Sequence, residues 1–291
     1  MKNTKIYLTG LITFIIAIII ILTFIKKNPN LTSKKNNSEI MNSDITKNSP
    51  PDADKKFASG KQKTTADTSI NIKYLTGKFN PGKDSLFTKV DLKYANREDI
   101  YLRKETYKAF IKMYDAALKQ CIKLKIISGT RNFYYQKYIW ERKWTGKRLV
   151  NGKNLAISVS DHVKRAKTIL KYSSMPGTSR HHWGTDIDIN SLKNNYFATE
   201  KGKKIFVWLK NNAAQYGFCQ TYTTKDSLRP TGYEEEKWHW SYMPLSVLLL
   251  EKYKKQVTYK DLKGFLGCET AEKLNVIDNY VMTINKECCK D

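Results

Sequence analysis

The sequence is poor in histidine, with four in 291 residues, and poor in acid, with 27 Asp and Glu against 52 Lys and Arg. Its five cysteines form no C-x-x-C pair and no zinc-knuckle spacing, so they do not suggest a structural metal centre. The shortage of acid leaves a formal net charge of +25, which calls for an anionic environment or partner. The lysines are scattered through predicted helices, linker and loops, and no nucleic-acid motif accompanies them. A nucleic-acid partner is therefore not expected. A lysine-rich compositional habit with solvated faces is one reading of the charge, and attraction to acidic polymers or lipid headgroups is the other.

Charge is also missing from Ile6 to Ile25, a run that at about 1.5 Å per residue matches a hydrocarbon core of about 30 Å. No small-x-small cleavage site follows, only Lys26 and Lys27, so an uncleaved transmembrane anchor over residues 1–27 is expected. A cleaved signal peptide is the competing reading. Flanking lysines do not set the orientation, because Lys2 and Lys5 balance Lys26 and Lys27. Residues 28–70 hold almost no large apolar side chain and are rich in Asn, Ser, Thr, Lys and Pro, the composition of a disordered tether. Folded sequence is expected from residue 71.

What histidine there is lies close to acid. Three of the four fall in Pro176–Ile189, PGTSRHHWGTDIDI, and Tyr233–Tyr242, YEEEKWHWSY. A hydrolytic zinc site takes three ligands of His or carboxylate type and leaves a position for water. His181, Asp188 and His239 supply such a set, and Glu236 is left over as a base. One tension stands out. Glu235–Tyr242 is predicted as a strand, in which positions three apart face opposite ways, so Glu236 and His239 converge only if the strand begins, ends or bulges between them.

The pattern Ser179, His181, Gly184, Asp188, followed by Glu236-Lys237-Trp238-His239, resembles the zinc D-alanyl-D-alanine carboxypeptidases of the VanY type. These belong to the wider LAS-type group of lysostaphin-like peptidases, D-Ala-D-Ala peptidases and the hedgehog signalling domain. The resemblance covers roughly Tyr101 to Leu250. It implies one Zn2+ per chain on His181, Asp188 and His239, with Glu236 as catalytic base and a peptidoglycan stem peptide as substrate. Ser128-Gly129-Thr130-Arg131 and Gln136 also match the family. By that likeness Arg131 approaches the scissile carbonyl, Ser128 and Gln136 help hold the substrate, and Ser179 contacts its terminal carboxylate. Asp186 stands where the family has a small residue; alternation with Ile187 and Ile189 puts it on the same face as Asp188, where it can orient a ligand histidine.

Apolar spacing predicts helices over Arg103–Leu124, Asn132–Trp144, Thr199–Tyr216 and Leu245–Tyr253, and one capped by Asp161 that runs to about Tyr172. Short strands are expected at Leu124–Ile127, Thr185–Asn190 and Phe218–Tyr222. Thr145–Asn154 reads as a basic loop at the cleft rim, and His162 is expected on the surface. The expected fold is α+β, a small mostly antiparallel sheet flanked by helices in the LAS-type metallopeptidase arrangement, preceded by one transmembrane helix. The zinc peptidase domain is expected over residues 71–254, with a helical extension over 255–291. In that extension Cys268 can bridge to Cys288 or Cys289 if the domain lies outside the cytoplasm; free thiols are the alternative.

The expected function is zinc-dependent carboxypeptidase cleavage of a terminal stem-peptide bond, of D-Ala-D-Ala or L,D type, in cell-wall remodelling. A cross-link endopeptidase and a non-catalytic zinc-containing wall-binding module are the rivals. The expected location is the cell membrane, single-pass, with the domain on the extracytoplasmic (periplasmic or cell-wall) side. The sequence sets no oligomeric state.

Overall fold

A computed structural model of the chain describes residues 70–289, so the predicted anchor and all but the last residue of the predicted tether lie outside the described residues. Among the described residues no helix is long and apolar enough to cross a membrane. The rest is α+β, as expected. In chain order it contains β1 (Phe87–Lys89), β2 (Tyr101–Arg103), α1 (Lys104–Lys119), β3 (Ile126–Ser128), α2 (Phe133–Trp144) and α3 (His162–Leu170), with shorter helical turns between them. Then follow β4 (Asp186–Ile189), α4 (Glu200–Asn212), β5 (Phe218–Gln220), β6 (His239–Tyr242) and α5 (Met243–Gln256).

Three of the five named helices start where a polar side chain meets the free amides of the first turn. Asn132 accepts from the Tyr135 amide at the head of α2, Asp161 from Lys164 at α3, and Thr199 from Gly202 at α4. α1 buries Thr106, Phe110, Met113, Tyr114 and Ala117, one stripe at helical spacing. It ends five residues before the predicted Leu124, because Cys121 takes a left-handed φ of 59° and reverses the chain toward β3.

β1 and β2 pair as a separate two-stranded ribbon, while the main sheet is antiparallel in the order β3-β4-β6-β5. Period-two alternation sorts its faces. Ile187, Ile189, Phe218 and Trp240 enter a core with Phe110 of α1 and Leu209 of α4. Asp186, Asp188, His239 and Ser241 point the other way. The short central strands thus place polar chemistry on one face and anchor it by apolar packing on the other.

A second core gathers Trp140 and Trp144 of α2, Leu170 of α3, Tyr253 of α5, and Leu262 and Phe265 from the C-terminal segment. Beyond α5 the helical extension expected over 255–291 breaks, among the described residues, into short pieces, the α-helical one spanning only Thr270–Lys273. Gly264, Gly267 and Asn275 have positive φ, which interrupts any longer helix.

The cysteine pairing differs from the expectation. Cys219 of β5, not Cys268, is bonded to Cys288, and Cys121, Cys268 and Cys289 are free thiols. Asn285 explains the choice. Its amide N–H donates to Thr221 O (2.9 Å) and its side chain to Gln220 O (3.1 Å), which lays the chain end along β5 and carries Cys288 to Cys219. Cys268 is held elsewhere, one residue after Gly267, which packs against the Trp144 indole. The bridge spans 69 positions of sequence. Cys288→Ser is expected to cost about 2–4 kcal/mol of unfolding free energy. An unchanged urea midpoint under oxidising conditions would count against a stabilising bridge.

Candidate functional site

Strand register assembles the site. Asp188 of β4 lies directly across from His239 of β6 on one side and Ser128 of β3 on the other, so all three share one face. His181 arrives from the 3-10 turn Arg180–Trp183 just ahead of β4. Gly184 closes that turn at φ 74°, where an added Cβ would sit 2.4 Å from the Phe87 ring and 3.1 Å from the Arg103 amide nitrogen. The tight approach lets Arg103 donate to Gly184 O and docks the turn on β2.

The convergence of Glu236 and His239 is solved by where β6 begins. The strand starts at His239 and not at Glu235, and Lys237-Trp238 form a turn in which the His239 amide donates to Glu236 O at 3.2 Å. Glu236 Oε2 thereby comes within 3.8 Å of His239 Nδ1.

His181, Asp188 and His239 are buried, and one candidate ligand atom from each lies within 4.8 Å of the others. Asp188 Oδ1 is 3.3 Å from His181 Nε2 and 3.0 Å from His239 Nδ1. Three donors on a tetrahedral zinc at roughly 2.0–2.1 Å would stand about 3.3 Å apart, so this donor set fits the ion. The outer partners fit as well. Gly129 O lies 2.8 Å from His181 Nδ1 and Asp186 Oδ2 lies 2.8 Å from His239 Nε2; each accepts a ring proton and leaves the opposite nitrogen as a lone pair toward the centre.

Asp186 is itself held by Arg180 Nε at 3.1 Å and by the hydroxyls of Thr185 and Ser241 at 2.7 and 2.8 Å. Burial opposes its charge, but Arg180 and His239 hold its carboxyl well below the usual range. His239 shows the counterpart: burial works against the charged ring, and the hydrogen bonds of Asp186 and Asp188 outweigh it, raising it to about 9. A metal at Nδ1 would take the place of that ring proton. Asp186→Asn weakens the acceptor for His239 Nε2, and zinc affinity measured by chelator competition is expected to fall about 10–100-fold. An unchanged affinity would leave Asp186 with no part in holding that ring.

Glu236 is buried beside the cluster, its backbone fixed by donation to Tyr222 O at 2.9 Å. Burial, with Asp188 nearby, pushes its carboxyl up to about 8 against the pull of His239, Arg131 and Lys143. A divalent cation on the three ligands would act in the opposite sense. Arg131 Nη1 stands 3.9 Å from Asp188 Oδ2 and 3.4 Å from Ser128 Oγ. These residues line a cleft of about 700 Å³ that Gln136 and Ser179 also border. Gln136 Nε2 donates to Ser174 O at 2.7 Å, while Gln136 Oε1, Ser179 Oγ and Arg131 Nε are buried without a partner among the described residues.

All the predicted site residues thus meet in one place, and His162 lies apart, exposed and paired with Glu269. Sequence reasoning missed Lys143, Ser173, Tyr172 and Tyr222, the last with its ring centroid 4.7 Å from that of His239. Nothing marks Lys143 in a sequence this rich in lysine. Tyr222 could have been found only by knowing that β5 lies beside β6.

A buried His, Asp, His donor set with a free carboxylate alongside makes a candidate metal site, carried on one face of a small sheet. Residues 99–245, half of the chain, match the family profile of VanY, D-alanyl-D-alanine carboxypeptidase, and the chain belongs to that family. YodJ of Bacillus subtilis (strain 168), named as a carboxypeptidase, is 30% identical over 182 residues, which cover 60% of this chain and 58% of YodJ. A D-alanyl-D-alanine carboxypeptidase of Enterococcus faecalis (strain ATCC 700802 / V583) is 27% identical over 149 residues, 48% of this chain and 51% of that one. The chain therefore spans little more than half the length of these curated relatives. Among solved structures, the LdcB LD-carboxypeptidase is 28% identical, with 62% of this chain and 81% of that chain covered and a TM-score of 0.44.

Proposed function

We propose that this protein is a zinc-dependent carboxypeptidase that hydrolyses a terminal peptide bond of peptidoglycan stem peptides. The observation that carries the reading is the buried group of His181, Asp188 and His239 with Glu236 beside it at the cleft. Zinc on that group would supply a Lewis acid for the carbonyl oxygen and lower the pKa of water. Glu236 then takes the proton of the attacking water and returns it to the leaving amine. Arg131 offers its planar guanidinium fork at the cleft, where negative charge would develop on oxygen. Ser128, Gln136 and Ser179 face the same cleft, and the unpartnered Gln136 Oε1 and Ser179 Oγ are available to a peptide.

The substrate class is supported by the family to which residues 99–245 belong, that of VanY, D-alanyl-D-alanine carboxypeptidase. We propose further that the domain works outside the cytoplasm, tethered by the Ile6–Ile25 segment; the Cys219–Cys288 bridge supports an oxidising compartment. Digestion of stem peptides in tri-, tetra- and pentapeptide form, with mass analysis of products, tests the activity. Release of a single terminal residue supports the carboxypeptidase. Cleavage confined to cross-linked dimers would make it an endopeptidase, and no cleavage by the zinc-loaded protein would sink the reading.

A further inference from the structure

We propose that Lys143 and Ser173 form a subsite that receives a carboxylate of the peptide substrate, an inference that rests on the peptidase reading above. Lys143 sits in the last turn of α2, where a lysine usually complements the helix end. Its ammonium instead donates to Ser173 Oγ across the cleft wall, on the lining shared by Glu236 and Arg131.

No carboxylate pairs with it among the described residues; Glu236 acts on it only from beyond ion-pair distance. Burial lowers its pKa to about 8, and the neighbouring charges of Arg148 and Arg131 push the same way. A poorly hydrated ammonium without a counter-ion is costly, and the cost is relieved by any anion that enters.

The lining shows where such an anion must come from. Arg97, Arg131, Arg142, Arg148 and Lys193 border the cleft with Lys143, whereas its only acids, Asp188 and Glu236, belong to the candidate metal site. The wall therefore offers cations and keeps no free carboxylate for them. A peptide carries two kinds of carboxylate that meet this chemistry, the terminal one and that of an internal acidic residue. Ser173 adds a hydroxyl beside the ammonium, so an arriving oxygen meets two donors at one place.

The test uses the full chain loaded with zinc and two pairs of cleavable stem peptides. One pair differs only in a terminal acid or carboxamide, the other only in an internal acid or its amide. For one of the pairs the wild type is expected to favour the acid by about 10- to 100-fold in kcat/KM, most of it in KM. Lys143→Met is expected to bring that ratio close to one with bound zinc unchanged, while Lys143→Arg keeps the preference. The pair that responds identifies which carboxylate is held. A wild-type ratio near one in both pairs, or preferences in which neither pair responds to Lys143→Met, overturns the subsite while cleavage itself upholds the peptidase. Absence of any cleavage by the wild type removes the peptidase reading and the subsite with it.

Discussion

Replacing Glu236 by alanine is expected to lower kcat on stem peptides by about 10²–10⁴-fold while leaving one zinc per chain in place. The separation of the two effects follows from geometry. Glu236 Oε2 is 3.8 Å from His239 Nδ1 and outside the ligand group, whereas its burial beside the cluster positions it to exchange a proton there. Loss of the carboxylate also removes a buried group whose charge is disfavoured by its surroundings, so the fold should tolerate the change. The measurement is turnover set against metal content in one preparation. Equal turnover by variant and wild type would take Glu236 out of the mechanism. A variant that had lost its zinc would instead make Glu236 part of the metal site.

The site was legible in the sequence because its chemistry is rare there. Four histidines in a lysine-rich chain make the His181 and His239 segments conspicuous, and alternation in Asp186-Ile187-Asp188-Ile189 already placed both aspartates on one face. The convergence of Glu236 with His239 was not legible, because a turn at Lys237-Trp238 and a strand continuing through them have the same local composition; the choice is made by Glu236 bonding to Tyr222 on the neighbouring segment. The cysteine pairing failed for a related reason. Nearness in sequence favoured Cys268, but the partner of Cys288 was decided by Asn285 docking on β5, a contact between distant segments. Lys143 was invisible on both grounds, being common in type and defined only by what surrounds it. Side chains whose residue type is scarce announce themselves, and those whose role depends on tertiary neighbours do not.

Substitution of His181 or His239 by alanine is expected to do what Glu236→Ala does not, emptying the centre and reducing turnover to background. Each ring would supply one of the three proposed donors, so its loss should exceed the roughly 10–100-fold fall in affinity that removing an outer partner causes. His182 provides the internal control, adjacent in sequence yet committed elsewhere. Its Nδ1 lies 2.6 Å from Arg131 O and its Nε2 accepts from the Gly177 amide at 3.0 Å, so both ring nitrogens are engaged in joining two loops. Burial drives its pKa down to about 3, which keeps the ring neutral as that pair of bonds requires. His182→Ala should therefore loosen the turn and lower thermal stability while zinc stays bound at about one per chain. Metal analysis after dialysis against a weak chelator separates the three variants. Full occupancy in His181→Ala or His239→Ala would overturn the ligand assignment, and loss of zinc in His182→Ala alone would move the centre to the wrong ring.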